Sequence, residues 1–196
     1  MTDVNKNYEN KLIQGISRRQ LLKSGLITAV SGIIPVRTLA AVDNFLYDER
    51  ALCIYNLHTE EYLDVVYWKN GKYITDALKK LDHIFRDHYN GSVKSIDTGL
   101  LDYLYAIQQK LQCREPFNLI SGYRSSATNN RLRKKNSRVA RRSLHIKGQA
   151  ADIRIPGCTI REVRNAAFEL KGGGVGYYPR SNFVHVDVGT IRFWRS

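Results

Sequence analysis

The sequence predicts a single α+β domain built on a central antiparallel sheet with flanking helices. Three observations carry this expectation. Stretches of strand-like composition and stretches of helical spacing succeed one another from residue 51 to the C-terminus. One helix is bracketed by its own start and stop signals, a capping box and a triple glycine. No internal repeat or low-complexity linker divides residues 41–196, so one core suffices.

The elements follow in order. Residues 51–58 and 62–68 are rich in Ile, Tyr, Leu, Val and Trp and are separated by Thr59-Glu60-Glu61, which reads as a β-hairpin. From Ile74 to Tyr89 the apolar residues Ile74, Leu78, Leu81 and Phe85 take helical spacing. Asp97 is placed to cap a second helix with the stripe Leu100, Leu101, Leu104, Tyr105 and Leu111. Phe117–Ser121 reads as a strand running into Gly122-Tyr123-Arg124-Ser125, and residues 128–142 as a short helical or loop segment dense in Arg and Lys. Ala150–Ile155 alternates as a strand that Pro156-Gly157 ends. Thr159-Ile160-Arg161-Glu162 is the capping box of a helix that Gly172-Gly173-Gly174 closes. Two last strands, 175–178 and 183–188, are joined by Pro179-Arg180-Ser181-Asn182.

Residues 1–40 read as an address. Ser17-Arg18-Arg19-Gln20-Leu21-Leu22-Lys23 matches the twin-arginine export pattern, and an apolar run from Gly25 to Ile34 follows. That run is about half the ~20 residues a spanning helix needs, and Thr38-Leu39-Ala40 offers a small-residue cleavage site. The expected route is the twin-arginine translocase, delivering a folded protein across the inner membrane to the periplasm with no stable membrane anchor after cleavage. The chain carries net charge +13; without the six basic and two acidic residues of the leader, 25 basic and 16 acidic side chains still leave +9. Such an excess favours an anionic partner, and an exported protein meets cell wall long before nucleic acid, which excludes a nucleic-acid role from the expectation. Cys53, Cys113 and Cys158 have no metal-finger spacing, and their odd number argues against a disulfide framework.

The chemistry lies in Ser143-Leu144-His145-Ile146-Lys147-Gly148-Gln149-Ala150-Ala151-Asp152 and in Asn182-Phe183-Val184-His185-Val186-Asp187. Two His nitrogens and one carboxylate oxygen form a zinc ligand set that leaves a fourth tetrahedral position for water, as catalytic sites do. His185 and Asp187, two apart on a strand, point to the same face. His83 and His88 lie five apart on the first helix and do not share a face, so they read as ordinary helix histidines. No His-Glu-x-x-His, P-loop or nucleophilic Ser or Cys motif competes.

These motifs, with Asn56-Leu57-His58-Thr59, Ser95-Ile96-Asp97, Ile120-Ser121-Gly122-Tyr123-Arg124-Ser125 and Gly172 through His185, resemble the murein endopeptidase K family. That family belongs to the D-alanyl-D-alanine metallopeptidase group, which shares its fold with lysostaphin-type peptidases and the hedgehog domain. The resemblance spans essentially all of residues 41–196. It implies His145, Asp152 and His185 as ligands of Zn2+, and Arg124 as the group that stabilises the substrate carbonyl as it becomes tetrahedral. Tyr123, Ser143 and Arg142 are assigned with Arg124 to substrate binding. The implied function is zinc-dependent endopeptidase cleavage of murein (peptidoglycan) peptide crosslinks during wall growth and remodelling, including bonds between two diaminopimelates.

One position departs from the pattern. Many D-alanyl-D-alanine dipeptidases carry a glutamate base three residues before the last ligand, where this chain has Asn182. Asp187 is its expected substitute, either as the base itself or as a carboxylate that orients His185. Two other functions stay open: a carboxypeptidase or dipeptidase trimming stem peptides, and a murein-binding zinc domain without hydrolysis. The run Arg131, Arg133, Lys134, Lys135, Arg138, Arg141 and Arg142 reads either as a solvated segment or as an electrostatic contact for the carboxylates of stem peptides.

Overall fold

A computed structural model describes residues 49–137 and 139–196. The leader, its arginines and cleavage site, and Arg138 of the basic run lie outside the described residues. Among the described residues no helix is long and apolar enough to cross a membrane.

Among the described residues, one eight-stranded sheet organises the domain. Its strands are β1 (Glu49–Asn56), β2 (Tyr62–Lys69), β3 (Lys72–Tyr73), β4 (Phe117–Ser121), β5 (Ala150–Arg154), β6 (Gly174–Tyr178), β7 (Phe183–Asp187) and β8 (Arg192–Arg195), in the spatial order β3-β2-β1-β4-β5-β7-β6-β8. The pairing is antiparallel except between β1 and β4 and between β6 and β8, which are parallel. The helices are α1 (Thr75–Ile84), α2 (Thr98–Leu111), α3 (Ser126–Lys135) and α4 (Ile160–Leu170). The α+β class is thus as expected, with two parallel junctions in a sheet that is otherwise antiparallel.

Alternation along the central strands builds the core. Ala151 pairs with Val186, Ile153 with Val184, and Leu119 with Ile153, so these side chains share one face. They join Leu81 of α1, Leu100, Leu104 and Ile107 of α2 and Val163 of α4 in one buried cluster. Each fully buried aliphatic side chain here contributes about 1.5–3 kcal/mol relative to exposure. The capping signals are realised: Asp97 accepts a hydrogen bond from the Gly99 amide, and Thr159 and Glu162 form the reciprocal capping box.

Three details differ from the sequence expectation. The first helix stops at Ile84 instead of running to Tyr89, because Phe85 packs into the core from the C-cap position and the chain then folds into turns around Asp87. Phe85 continues the apolar period, which is why periodicity overruns the end. Residues 128–142 divide into α3, capped by Ser125, and an irregular stretch before a 3-10 turn at Leu144–Lys147. Strands β3 and β8 were not expected.

Candidate metal centre and cleft

The side of the sheet opposite the apolar cluster carries the candidate site. In the β5–β7 register Asp152 lies across from His185 and Ala150 across from Asp187, so the parity that buries Ala151 and Val186 on one face presents these polar groups on the other. His145 reaches the same place from the 3-10 turn. Gly148 ends that turn with φ +71°, and a Cβ there would lie 2.5 Å from the Ser95 carbonyl oxygen, so the return into β5 requires glycine.

His145, Asp152 and His185 are all buried, and their donor atoms form a tight triangle. His185 Nδ1 is 2.8 Å from Asp152 Oδ1, His145 Nε2 is 3.3 Å from the same oxygen, and the two ring nitrogens are 3.2 Å apart. Ligand pairs around a tetrahedral zinc with bonds of ~2.0–2.1 Å are separated by about 3.3 Å. The ring nitrogens pointing away from the triangle are also committed. His145 Nδ1 lies 2.6 Å from the Gly122 carbonyl oxygen and His185 Nε2 lies 3.0 Å from Asp187 Oδ2. Each partner accepts a proton from the far nitrogen, leaving the near nitrogen's lone pair facing the triangle. The donor set therefore fits a zinc ion. Among the described residues it is the sole cluster of its kind.

Electrostatics separate the two histidines. Burial pushes His145 down to about 4, against the attraction of Asp152. Burial also opposes a charge on His185, but hydrogen bonds with Asp152 and Asp187 outweigh it and raise its pKa. Burial likewise works against ionised Asp152 and Asp187, and their imidazole partners, with Arg192 for Asp187, hold both below the usual carboxylate range.

Asp187 sits behind His185 and is fully buried. Arg192 grips it through Nη1 at 3.0 Å and Nη2 at 2.6 Å, and the amides of Gly174 and Gly189 donate to Oδ1 at 3.1 and 2.9 Å. Both oxygens are thereby engaged, and the carboxylate is absent from the cleft lining. Asn182 is exposed, in left-handed backbone (φ 54°) at the β6–β7 turn, so the position where dipeptidases carry a base here serves a turn.

A cleft of about 1100 Å³ opens over the triangle. Arg124, Arg142 and Ser143 line it; Arg124 Nη2 is 3.3 Å from Asp152 Oδ2, and the Arg124 amide donates to the His145 carbonyl at 3.2 Å. Tyr123 is the exception among the expected substrate-binding residues: its side chain packs against the apolar core and does not line the cleft, because its neighbours Gly122 and Arg124 take the site-facing positions. Of the basic run, Arg142 lines the cleft, whereas Arg131 lies over the Tyr89 ring at 3.9 Å. His83 and His88 stand apart from the triangle, His83 beside Glu61 and His88 stacked on His58.

Sequence reasoning missed Arg180, Arg192, Trp194 and Arg195, all in the cleft wall, and the stacked pair Tyr178–Phe183. Trp194 lies 5.2 Å from the His185 ring and donates Nε1–H to the Tyr178 hydroxyl. A signal existed for β8: Arg192-Phe193-Trp194-Arg195 is a short run of aromatic and basic residues whose period-two alternation puts Arg192 and Trp194 together. Gly176, opposite Trp194 on β6, makes room for the indole.

Comparison with known proteins matches residues 45–194 to the family model described as peptidoglycan L,D-endopeptidase MepK. The chain is 45% identical over 178 residues to the peptidoglycan L,D-endopeptidase MepK of Escherichia coli K12, covering 91% of this chain and 97% of that one. It is equally similar to the protein of that name in Shigella flexneri. The probable peptidoglycan L,D-endopeptidase MepK of Haemophilus influenzae is 38% identical over 180 residues, 91% of this chain and 96% of its own. No solved structure matches. The chain belongs to the peptidoglycan L,D-endopeptidase MepK family.

Proposed function

We propose that this chain is a zinc-dependent murein endopeptidase of the periplasm, exported by the twin-arginine translocase, that hydrolyses peptide crosslinks including those between two diaminopimelates. Family membership carries the coarser statement, a peptidase acting on peptidoglycan. The observation that carries the metal-dependent reading is the triangle of His145, Asp152 and His185 at the floor of a cleft walled by arginines. The L,D-endopeptidase names of the relatives support the bond preference, and the Arg18-Arg19 leader supports the route.

His145, Asp152 and His185 would hold the zinc, which supplies a Lewis acid that polarises a peptide carbonyl and acidifies water. The chain's own groups do the rest. Gly122 and Asp187 fix the protons of the two imidazoles on their far nitrogens, so that both near nitrogens present lone pairs. Arg124 brings a permanent positive charge to the floor, where it stabilises negative charge developing on the carbonyl oxygen. Asp187 acts by holding His185 and not by taking a proton from the cleft, since Arg192 and two amides already occupy its oxygens. Arg142 and Arg180 attract the carboxylates of stem peptides.

The test is digestion of purified murein by the protein lacking residues 1–40, with products separated by mass. Loss of crosslinked dimers, abolished by a chelator and restored by zinc, is the expected result. Shortened stems with crosslinks intact would replace the proposal with a carboxypeptidase. Binding without new products would leave a murein-binding domain.

A further inference from the structure

The three cysteines are free thiols that the centre does not use, and two of them meet at the other end of the strands that carry it. Cys113 follows α2, in the turn where Gln112 takes left-handed backbone and the Cys113 amide returns to the Gln108 carbonyl. Cys158 precedes α4, with its amide bonded to the Ile155 carbonyl. Asn118 pairs with Arg154, so the segment entering β4 runs beside the segment leaving β5. Two contacts show this neighbourhood: Cys113 Sγ donates to the Pro156 carbonyl at 3.8 Å, and a Cβ on Gly157 would lie 4.0 Å from Glu115 Cγ. Burial and the neighbouring Cys113 thiol push the Cys158 thiol up to about 11, in keeping with the adjacency of the two segments. Both residues are partly exposed, within reach of an oxidant. Cys53 is engaged elsewhere, its thiol bonded to the Tyr62 hydroxyl at 2.8 Å.

We propose that Cys113 and Cys158 form an intramolecular disulfide in an oxidising compartment, and that Cys53 remains the odd thiol. Its occurrence in the cell rests on the periplasmic reading above; its chemistry does not. One thiolate attacks the disulfide of a thiol–disulfide oxidoreductase or of oxidised glutathione and releases a thiolate. The second thiolate then attacks the bound sulfur and displaces the acceptor's other half. Two electrons and two protons leave the cysteines, and the acceptor's disulfide becomes two thiols. Because the two cysteine-bearing segments already lie side by side in the folded domain, the reaction needs no unfolding, which suits a protein exported in the folded state.

The closed segment from Cys113 to Cys158 contains Arg124, His145 and Asp152. A covalent tie at its base restricts the unfolded chain and not the native site. Turnover at 25 °C is therefore the same in oxidised and reduced protein, while loss of activity on heating comes later in the oxidised form.

The zinc-loaded protein lacking residues 1–40 is equilibrated in glutathione redox buffers, alkylated after denaturation and mapped by peptide mass. The expected result is a Cys113–Cys158 linked peptide, one alkylated thiol at Cys53, and a Tm raised by about 5–15 °C. Dithiothreitol reverses the rise, Cys53→Ser keeps it, and Cys113→Ser or Cys158→Ser loses it. Three alkylated thiols under oxidising conditions, a bridge that includes Cys53, or glutathione adducts on both cysteines without closure would each overturn the proposal. Protein drawn from cells separates the two readings. Reduced cysteines there, in a chain that closes the bridge when purified, count against the periplasmic address and leave the pairing standing.

Discussion

The floor and the rim of the cleft are built on opposite terms. On the floor, Asp152, His185 and Asp187 come from paired strands in the middle of the sheet, are buried, and have each side-chain nitrogen or oxygen within 3.3 Å of a named partner. At the rim, Arg142 and Arg180 come from loops and are exposed. The floor is held in one geometry by hydrogen bonds that water cannot compete for, whereas the rim offers charge without fixed geometry. This division suits a polymer substrate, whose scissile bond must be placed to within tenths of an ångström while its flanking carboxylates need only be drawn in.

Substitutions sharpen the contrast in order of effect. His145→Ala or Asp152→Ala removes a donor from the triangle, and crosslink hydrolysis falls to background, with bound zinc by elemental analysis falling well below one per chain. Retention of full metal and activity by either variant would break the floor as the site. Arg124→Ala keeps the metal but loses about 10²–10³ in kcat, and Arg124→Lys recovers only part, since a point charge replaces a planar fork. Asp187→Ala weakens metal affinity or activity about 10–100-fold, measured by competition with a chromogenic chelator. A base would behave otherwise: Asp187→Asn would then abolish turnover at full zinc occupancy. At the rim, Arg142→Ala or Arg180→Ala costs less than about tenfold, and the cost shrinks as salt rises. A loss at the rim matching that of Arg124, independent of salt, would erase the distinction.

How much of this was legible follows the same line. The floor could be read because strand parity is a sequence property: His185 and Asp187 two apart, and Asp152 on an alternating strand, reach one face wherever the strands pair. Which of the two roles expected of Asp187 its surroundings favour was not legible, because that depends on Arg192, and the alternation of its four-residue strand does not reveal that the strand pairs in parallel with β6. Tyr123 misled for a related reason. Adjacent residues on an extended loop face opposite ways, so the aromatic next to Arg124 goes to the core. The end of α1 was overrun because Phe85 fits the helical period while packing from beyond the last turn. The approach of the Cys113 and Cys158 segments depends on β4–β5 register and had no local signal, which is why the odd cysteine count pointed away from it.

The register of β5 against β7 also decides how sequence length can change around the centre. An insertion in the exposed turn at residues 179–181, between β6 and β7, leaves the pairing of Asp152 with His185 untouched. A single residue added within either strand exchanges the two faces beyond it, turning alanine and valine into the cleft and burying carboxylate and imidazole among leucines. Length in this part of the chain is therefore free in that turn and fixed to even steps within the strands, and a one-codon insertion within a strand would end the activity as completely as loss of a ligand.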